Sequence, residues 1–195
     1  YFARYNKLKR TYEAGVRLIE EIKDEIMYLE SIINALDIAT TENDLNNIKE
    51  ELIITGYIKK NSKSKSKDNK NNKPLHYISS DGFDMYVGKN NLQNDELTFK
   101  FASNSDWWFH AKQIPGSHVI VKTNGKELPD RTFEEAAALA AYYSKGRNLD
   151  KVEVDYVLKK EVKKPAAAKP GFVVYYTNYS LIAIADIKGI KEVTG

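Results

Sequence analysis

The sequence contains no cysteine, and it has no apolar run of the length that a membrane span requires. Without cysteine, disulfide scaffolds and thiolate chemistry are excluded. No glycine-rich nucleotide loop and no Gly-x-Ser-x-Gly nucleophile motif occurs either. The chain begins inside a helical pattern, without an initiating methionine or a signal peptide. We therefore expect a part of a longer chain. The absence of cysteine fits a cytoplasmic protein, which is the location that we expect.

Positive charge is unevenly distributed, although the net charge is only +3. Residues 1–58 carry a net charge of −4, residues 59–74 of +6 and residues 75–195 of +1. This distribution excludes a generally basic nucleic-acid-binding domain. A nucleic-acid partner would have to be met by local basic patches.

The first 36 residues contain an apolar heptad that continues over about five repeats. Its positions are Tyr5, Leu8, Tyr12, Gly15, Ile19, Ile22, Ile26, Leu29, Ile33 and Leu36. The pattern predicts a coiled-coil arm whose partner helix comes from the missing N-terminal part of the parent protein or from another copy. The alternative is an ordinary amphipathic helix that packs on the globular part.

A short second helix is predicted after the arm. Thr41 is a suitable N-cap with Asp44 three residues later, and Gly56 is a suitable residue to end the helix. The positions expected to face inward are Leu45, Ile48 and Leu52. Residues 59–74 consist almost entirely of Lys, Asn and Ser, so we expect a disordered linker there.

From Leu75 onward, the pattern predicts an α+β fold with a compact mixed or antiparallel sheet and packed helices. Strands and helices alternate with strong turn signals such as Asp81-Gly82 and Asn124-Gly125. The predicted elements are a hairpin of Leu75–Ser80 and Phe83–Val87, a helix capped by Asn94 and running to about Ala102, a strand at Val119–Lys122, a helix at Pro129–Lys145 ended by Gly146, a strand at Val152–Leu158, and a closing hairpin of Phe172–Tyr176 and Tyr179–Ala185 around Thr177-Asn178.

The segment 106–122 holds both tryptophans and two of the three histidines. It is either a corner of the core or a platform on which bases stack. A catalytic interpretation is disfavoured because Ser117 and His118 are neighbours on a strand and point to opposite faces. His110 and His118 alone are too few ligands for a metal ion. We therefore expect no catalytic residue, no metal and no cofactor.

Eight cations fall within residues 145–169, against only four acids. They are Lys145, Arg147, Lys151, Lys159, Lys160, Lys163, Lys164 and Lys169. Such a basic loop can contact several phosphates, and a cluster of Asn and Gln at residues 90–94 can add neutral donors. The alternative is that the lysines are simply solvated and the tryptophans belong to the core.

Several longer motifs resemble the RNA-binding domain of the NFACT family. They are Gly88-x-Asn90-Asn91-x-Gln93-Asn94-Asp95-x-Leu97-Thr98, Asp106-x-Trp108-Phe109-His110-Ala111-Lys112, Ile114-Pro115-Gly116-Ser117-His118-Val119, Ala140-Ala141-Tyr142-Tyr143-Ser144-Lys145, Val154-Asp155-Tyr156, and Lys163-Lys164-Pro165 with Lys169-Pro170-Gly171. The start, Tyr1-Phe2-x-x-Tyr5-Asn6-Lys7-Leu8-Lys9, is similar to the outer part of the coiled-coil arm of that family.

The resemblance implies an arm and short helix over residues 1–58, the linker over 59–74 and the RNA-binding domain over 75–195. It also implies a role in ribosome-associated quality control. Family members bind large ribosomal subunits that carry a stalled peptidyl-tRNA, reach toward the stalk region, and recruit charged tRNA for template-free C-terminal tailing, with alanine in bacteria. The ribosome performs the peptide-bond chemistry, so the implied role of this chain is binding and not catalysis.

On this basis we predict RNA contacts from a defined set of residues. They are Lys89, Asn90, Asn91, Gln93, Asn94, Trp108, His110, Lys112, Ser117, His118, Lys145, Arg147, Lys159, Lys160, Lys163, Lys164 and Lys169. Lys89 stands where the family often has arginine, so the positive charge is kept but the planar, bidentate guanidinium group is lost. Ala166-Ala167 replace a loop that often carries glycine. An older family name suggests a different hypothesis, namely a surface adhesion module for fibronectin or fibrinogen.

Overall fold

The computed structural model of the protein describes residues 2–60 and 73–193. Helix α1 (Phe2–Ile38) is continuous, as the heptad predicts, and helix α2 (Glu42–Ile54) follows it. A capping box starts α2: the Thr41 hydroxyl accepts from the backbone N–H of Asp44, and the Asp44 carboxylate accepts from that of Thr41. The chain leaves α2 at Gly56, with φ +85°. The predicted start and end of this helix are thus confirmed.

The heptad stripe of α1 remains exposed along its length. A neighbouring face of α1 packs instead, where Tyr28, Ile32 and Ala35 meet Ile48 of α2. The partner helix expected for the stripe stays a prediction. The expectation that Leu45 faces inward is wrong, because α2 turns Ile48 toward α1 and leaves Leu45 half exposed.

Seven strands form one antiparallel sheet with the order β6-β5-β3-β4-β2-β1-β7. The strands are β1 (Leu75–Ile78), β2 (Asp84–Val87), β3 (Trp107–Ala111), β4 (Val119–Val121), β5 (Val152–Leu158), β6 (Tyr179–Ala183) and β7 (Lys191–Glu192). The α+β fold with a long preceding helix is therefore confirmed.

Helix α4 (Asp130–Tyr142) covers one face of this sheet. Its buried alanines allow a close approach to strand residues such as Met85, Phe109 and Val119. The opposite face is covered by residues 162–175 and by a π-helical turn (Leu97–Phe101) that continues the short helix α3 (Asn91–Glu96). The sheet thus lies between two apolar layers, each built from alternate residues of the same strands.

Two predicted details are corrected. The cap of the short helix is Asn90, whose side chain accepts from the backbone N–H of Gln93, and Asn94 lies inside that helix. Helix α4 ends at Tyr142 and not at Gly146. Its end is set by pairing with the 115–116 turn, since the backbone N–H of Lys145 donates to Pro115.

The predicted closing hairpin is also wrong. Strand β6 pairs with β5, whereas the segment before it bridges through Val174 to Lys163. The segment between Val174 and β6 is held against β5 by Asp155. The Asp155 carboxylate accepts from the Tyr175 hydroxyl and the Asn178 amide, both at 2.8 Å.

Most of the predicted linker, residues 61–72, lies outside the described residues. Within the described ranges, every helix is too short or too polar to cross a membrane.

Candidate nucleic-acid interface

The amide side chains predicted to contact RNA are buried. Asn90 caps α3, and the Gln93 carbonyl accepts from the backbone N–H of Lys89 at 2.9 Å. The Asn94 carbonyl accepts from the backbone N–H of His118 at 3.0 Å. These bonds hold α3 against β4 and leave these side chains little access to a base edge.

Asn91 connects α3 to both helices of the arm. Its amide donates to the Ser31 hydroxyl at 2.7 Å and to Oε1 of Glu51 at 2.8 Å. The Tyr28 hydroxyl donates to the same Glu51 oxygen at 3.0 Å. Burial raises the pKa of Glu51, although these two hydrogen bonds act in the other direction. The base of the arm is therefore fixed to the sheet domain by a polar network centred on a buried carboxyl group.

Asp95 fixes the basic loop in the same region. Its carboxylate accepts from the Lys164 ammonium at 2.7 Å and from the backbone N–H of Gly171 at 3.1 Å. Gly171 has φ +79°, and a Cβ there would lie 2.4 Å from the Asn91 side-chain oxygen. Only glycine fits this close approach without strain. The Lys-Pro-Gly motif therefore serves to close the loop onto α3.

Six of the predicted RNA-binding cations form ion pairs with carboxylates. The pairs are Lys89–Asp44, Lys112–Glu153, Lys145–Glu30, Arg147–Asp37, Lys164–Asp95 and Lys169–Glu25. Four of the carboxylates, those of Glu25, Glu30, Asp37 and Asp44, belong to the arm. These four pairs connect the arm to the domain, so much of the charge is neutralised within the protein.

The remaining three cations form what we call the lysine cluster, Lys159, Lys160 and Lys163. A 3₁₀ turn (Lys159–Glu161) after β5 presents the first two, and a backbone bridge to Val174 fixes the third. Within residues 2–60 and 73–193, none of the three forms an ion pair. Of the predicted basic surface, the cluster is the part that stays open to a phosphate.

The central aromatic stretch lies mainly in the core. Trp108 is completely buried, so the hypothesis of an exposed stacking surface is wrong at this residue. Ser117 and His118 are buried too, and Nδ1 of His118 lies 2.8 Å from the Thr98 hydroxyl. Burial lowers the pKa of His110 to about 4 and that of His118 well below its usual value. Both rings are therefore neutral near pH 7.

A cleft of about 750 Å³ separates α1 from the 113–116 turn and the loop 165–175. The partly exposed His110 lines it from the sheet side. Its α1 wall carries the carboxylates of Glu21 and Asp24, and that of Glu25, which pairs with Lys169. Carboxylates beside neutral rings repel phosphate. The cleft is thus a poor path for an RNA backbone, in contrast to the lysine cluster.

Glu51 and the pairing of Asp44 with Lys89 were not predicted from the sequence. Glu51 follows Ile48 by three residues and therefore lies on the buried face of α2. A carboxylate within an apolar stripe is a detectable signal for a buried polar network. The pairing of Asp44 with Lys89, 45 residues away, has no such local signal.

Models of two protein-family segments match the chain. The model described as the NFACT protein RNA binding domain matches residues 73–177, and that described as the NFACT N-terminal and middle domains matches residues 1–71. The two matches divide the chain near the junction between the arm and the sheet domain.

Among curated proteins, the chain is similar to "Rqc2 homolog RqcH" of Streptococcus suis, with 47% identity over 90% of this chain and 31% of the relative. The protein of the same name from Bacillus subtilis is 38% identical over 95% of this chain and 32% of the relative. The chain therefore spans about a third of the length of these relatives.

Among solved structures, the C-terminal part of the fibronectin/fibrinogen-binding protein from Streptococcus suis superimposes with a TM-score of 0.87 and 45% identity. The match covers 98% of this chain and 77% of that chain. The long arm, the antiparallel sheet and the matched family segments lead to one conclusion: the chain belongs to the NFACT family.

Proposed function

We propose that this chain is the arm and the RNA-contacting part of a ribosome-associated quality control factor. It acts as a binder and not as a catalyst. The lysine cluster contacts phosphates of RNA on the large ribosomal subunit or of tRNA. The observation that carries the proposal is the contrast between these three lysines and the six cations already paired with carboxylates.

The physical reason is that a free lysine gains more from a phosphate than a paired one. Each phosphate contact releases condensed counterions, which makes the affinity dependent on salt. A lysine already in an ion pair must first give up its carboxylate. The family description as an RNA binding domain supports the same class of ligand.

The experiment reverses the cluster with Lys159→Glu, Lys160→Glu and Lys163→Glu in the 195-residue chain. Binding to purified large ribosomal subunits and to tRNA is measured by sedimentation and filter retention over a range of salt concentrations. We expect the affinity to fall at least about 30-fold at low salt, and the slope of log K against log salt to decrease by about 2, since each lost contact contributes roughly 0.7.

A matched control carries the same charge change at three other exposed lysines, with Lys126→Glu, Lys151→Glu and Lys188→Glu. It should retain most of the affinity. If both triple variants lose affinity equally, only the overall charge matters and the cluster is not the contact surface. Circular dichroism should show both variants to be folded, because neither set takes part in an ion pair of the described residues.

The finer part of the proposal concerns the parent protein. There, the RNA contact of this chain helps to hold charged tRNA on the subunit for template-free alanine tailing, while the arm reaches toward the stalk region. The cluster variant is introduced into the parent protein, which is then purified from cells. We expect reduced recovery of large subunits with nascent chains, and shorter tails on those chains.

The alternative is adhesion to fibronectin or fibrinogen, and the name of the Streptococcus suis protein with the similar solved structure favours it. That binding would depend little on salt and would survive reversal of the lysine cluster. Binding of immobilised fibronectin by a chain with no affinity for RNA would replace our proposal with the adhesion function.

A further inference from the structure

A row of side chains crosses the sheet on the face opposite α4. In register, it runs from Val157 through Trp108, Ile120 and Tyr86 to His76. The π-helical turn and residues 162–175 complete the apolar cluster around Trp108 and Ile120. At the β2–β1 end this cover stops, and Tyr86 and His76 are only partly buried. The row thus passes from the core to the surface.

At this end, three rings form what we call the aromatic ridge, made of His76, Tyr86 and Phe101. The rings of His76 and Tyr86 are parallel, with centroids 4.5 Å apart and an interplanar angle of 7°. The Phe101 ring meets Tyr86 edge to face at 4.8 Å. Phe101 is the last residue of the π-helical turn and is 43% exposed. Such turns often occur at functional sites.

A chain of contacts links the ridge to the lysine cluster. The Lys122 ammonium lies 5.0 Å from the centre of the Phe101 ring and pairs with Asp106. The Asp106 carbonyl accepts from the backbone N–H of Lys159 at 2.8 Å. The backbone of Lys159, the first lysine of the cluster, is therefore bonded to the residue that pairs with Lys122 beside the ridge.

The charges around the ridge are mainly positive. Lys100 is exposed beside Phe101, and Lys191 of β7 lies opposite Ile78 and hence on the same face as His76. The nearby acids Asp84 and Asp106 are already bound to His76 and Lys122. The exposed Glu161 lies within the lysine cluster and is outnumbered there three to one.

We propose that the aromatic ridge is a stacking site for unpaired nucleotides of RNA, with phosphates held by the lysine cluster and Lys100. This deepens the proposed function and rests on it. Unpaired bases can stack on aromatic side chains in any sequence, whereas bases within a duplex are already stacked and hidden. The site therefore prefers loops and single-stranded ends over helical RNA.

The test uses fluorescence anisotropy with two labelled probes, an unstructured RNA of about 10 nucleotides and a blunt RNA duplex of the same length. Phe101→Leu keeps apolar contact with Tyr86 but removes the ring. We expect it to weaken single-strand binding about 10-fold and to leave duplex binding nearly unchanged. Phe172→Leu makes the same change at an exposed ring outside the ridge and should have no effect.

The outcomes separate the two proposals. If Phe101→Leu binds the single strand as tightly as the unmodified chain, while reversal of the lysine cluster abolishes binding, the stacking site is wrong and the RNA-binding function stands. Equal weakening for both probes also overturns the stacking site, because it indicates a general loss. If the unmodified chain binds purified large subunits or tRNA but neither probe, the stacking site is wrong and the proposed function stands. If it binds none of these RNAs, both proposals fail.

Discussion

Two groups of basic residues in this protein were both predicted to contact RNA, but they have different structural roles. At the junction with the arm, Lys89, Lys145 and Lys169 each meet a carboxylate of α1 or α2. After β5, the lysine cluster meets none among the described residues. The first group fixes one part of the protein to another, and the second is available to a ligand. A lysine-rich motif therefore predicts a ligand surface only after the carboxylates around it have been located.

The largest effect at the junction is expected for Lys89→Ala. The Lys89–Asp44 pair is the least exposed, with side-chain exposures of 13% and 2%. Removal of one partner from a buried pair costs about 3 kcal/mol of unfolding free energy. We expect this loss in urea unfolding near neutral pH, with RNA affinity of the folded variant unchanged. Lys126→Ala, at an exposed lysine, should change neither quantity.

The loss of unfolding free energy in Lys89→Ala should become smaller at acidic pH. Burial acts to raise the pKa of Asp44, but the hydrogen bonds from Lys89 and Thr41 outweigh it, and the pKa is lowered from 3.8. The stabilisation is thus present above that value and is lost as the pH falls through the folded-state pKa. If Lys89→Ala reduces RNA affinity with no change in unfolding free energy, Lys89 belongs to the interface and the distinction between the groups breaks down.

A smaller effect is expected at Glu51. Glu51→Ala removes the acceptor shared by Tyr28 and Asn91 and should cost about 2 kcal/mol. Glu51→Gln retains an acceptor oxygen and removes a buried charge, so its unfolding free energy should equal or exceed that of the unmodified chain at neutral pH. Urea unfolding of the two variants at the same pH measures the difference.

The pH dependence at Glu51 has the opposite sign to that at Asp44. Because the pKa of Glu51 is raised from 4.5, its contribution is fully present below that value and is lost as the pH rises through the folded-state pKa. The advantage of Glu51→Gln over the unmodified chain should therefore grow with pH. A constant difference across the range would show that Glu51 stays ionised in the folded protein.

The smallest effect is expected for Lys145→Ala. Lys145 pairs with Glu30 at the surface, where its side chain is 55% exposed. Exposed pairs contribute below about 1 kcal/mol, and salt screens them. Thermal unfolding at low and high salt should show a small difference that disappears with added salt. A larger difference would mean that this exposed pair contributes as much to the free energy of unfolding as a buried one.

The periodic features of the fold could be predicted from the sequence, whereas the roles of polar side chains could not. The heptad predicts α1, Thr41 with Asp44 predicts the start of α2, and Asp81-Gly82 predicts the first hairpin, because each signal is local. Asn91 illustrates the failure. Its donors suit an RNA base or another side chain equally well, and its partner Glu51 lies 40 residues away.

The solvent exposure of aromatic residues also could not be predicted from the sequence. Trp108 and Phe101 both lie in apolar surroundings, yet one is fully buried and the other is 43% exposed. Which ring is covered depends on residues 162–175, whose course is set by the contacts of Asp95 and Asp155 with distant side chains. Long-range hydrogen bonds of this kind leave no trace in local periodicity.

The polar network at Asn91 and Glu51 also determines how the arm can transmit movement. Helix α1 has 37 residues and is thus about 55 Å long, and among the described residues its packing contacts lie near one end. A rod held in this way is a lever: a slight tilt at the anchored end becomes a displacement of several ångströms at the free tip. A partner that binds the tip can therefore strain the hydrogen bonds that hold α3 and the loop at Gly171 in place.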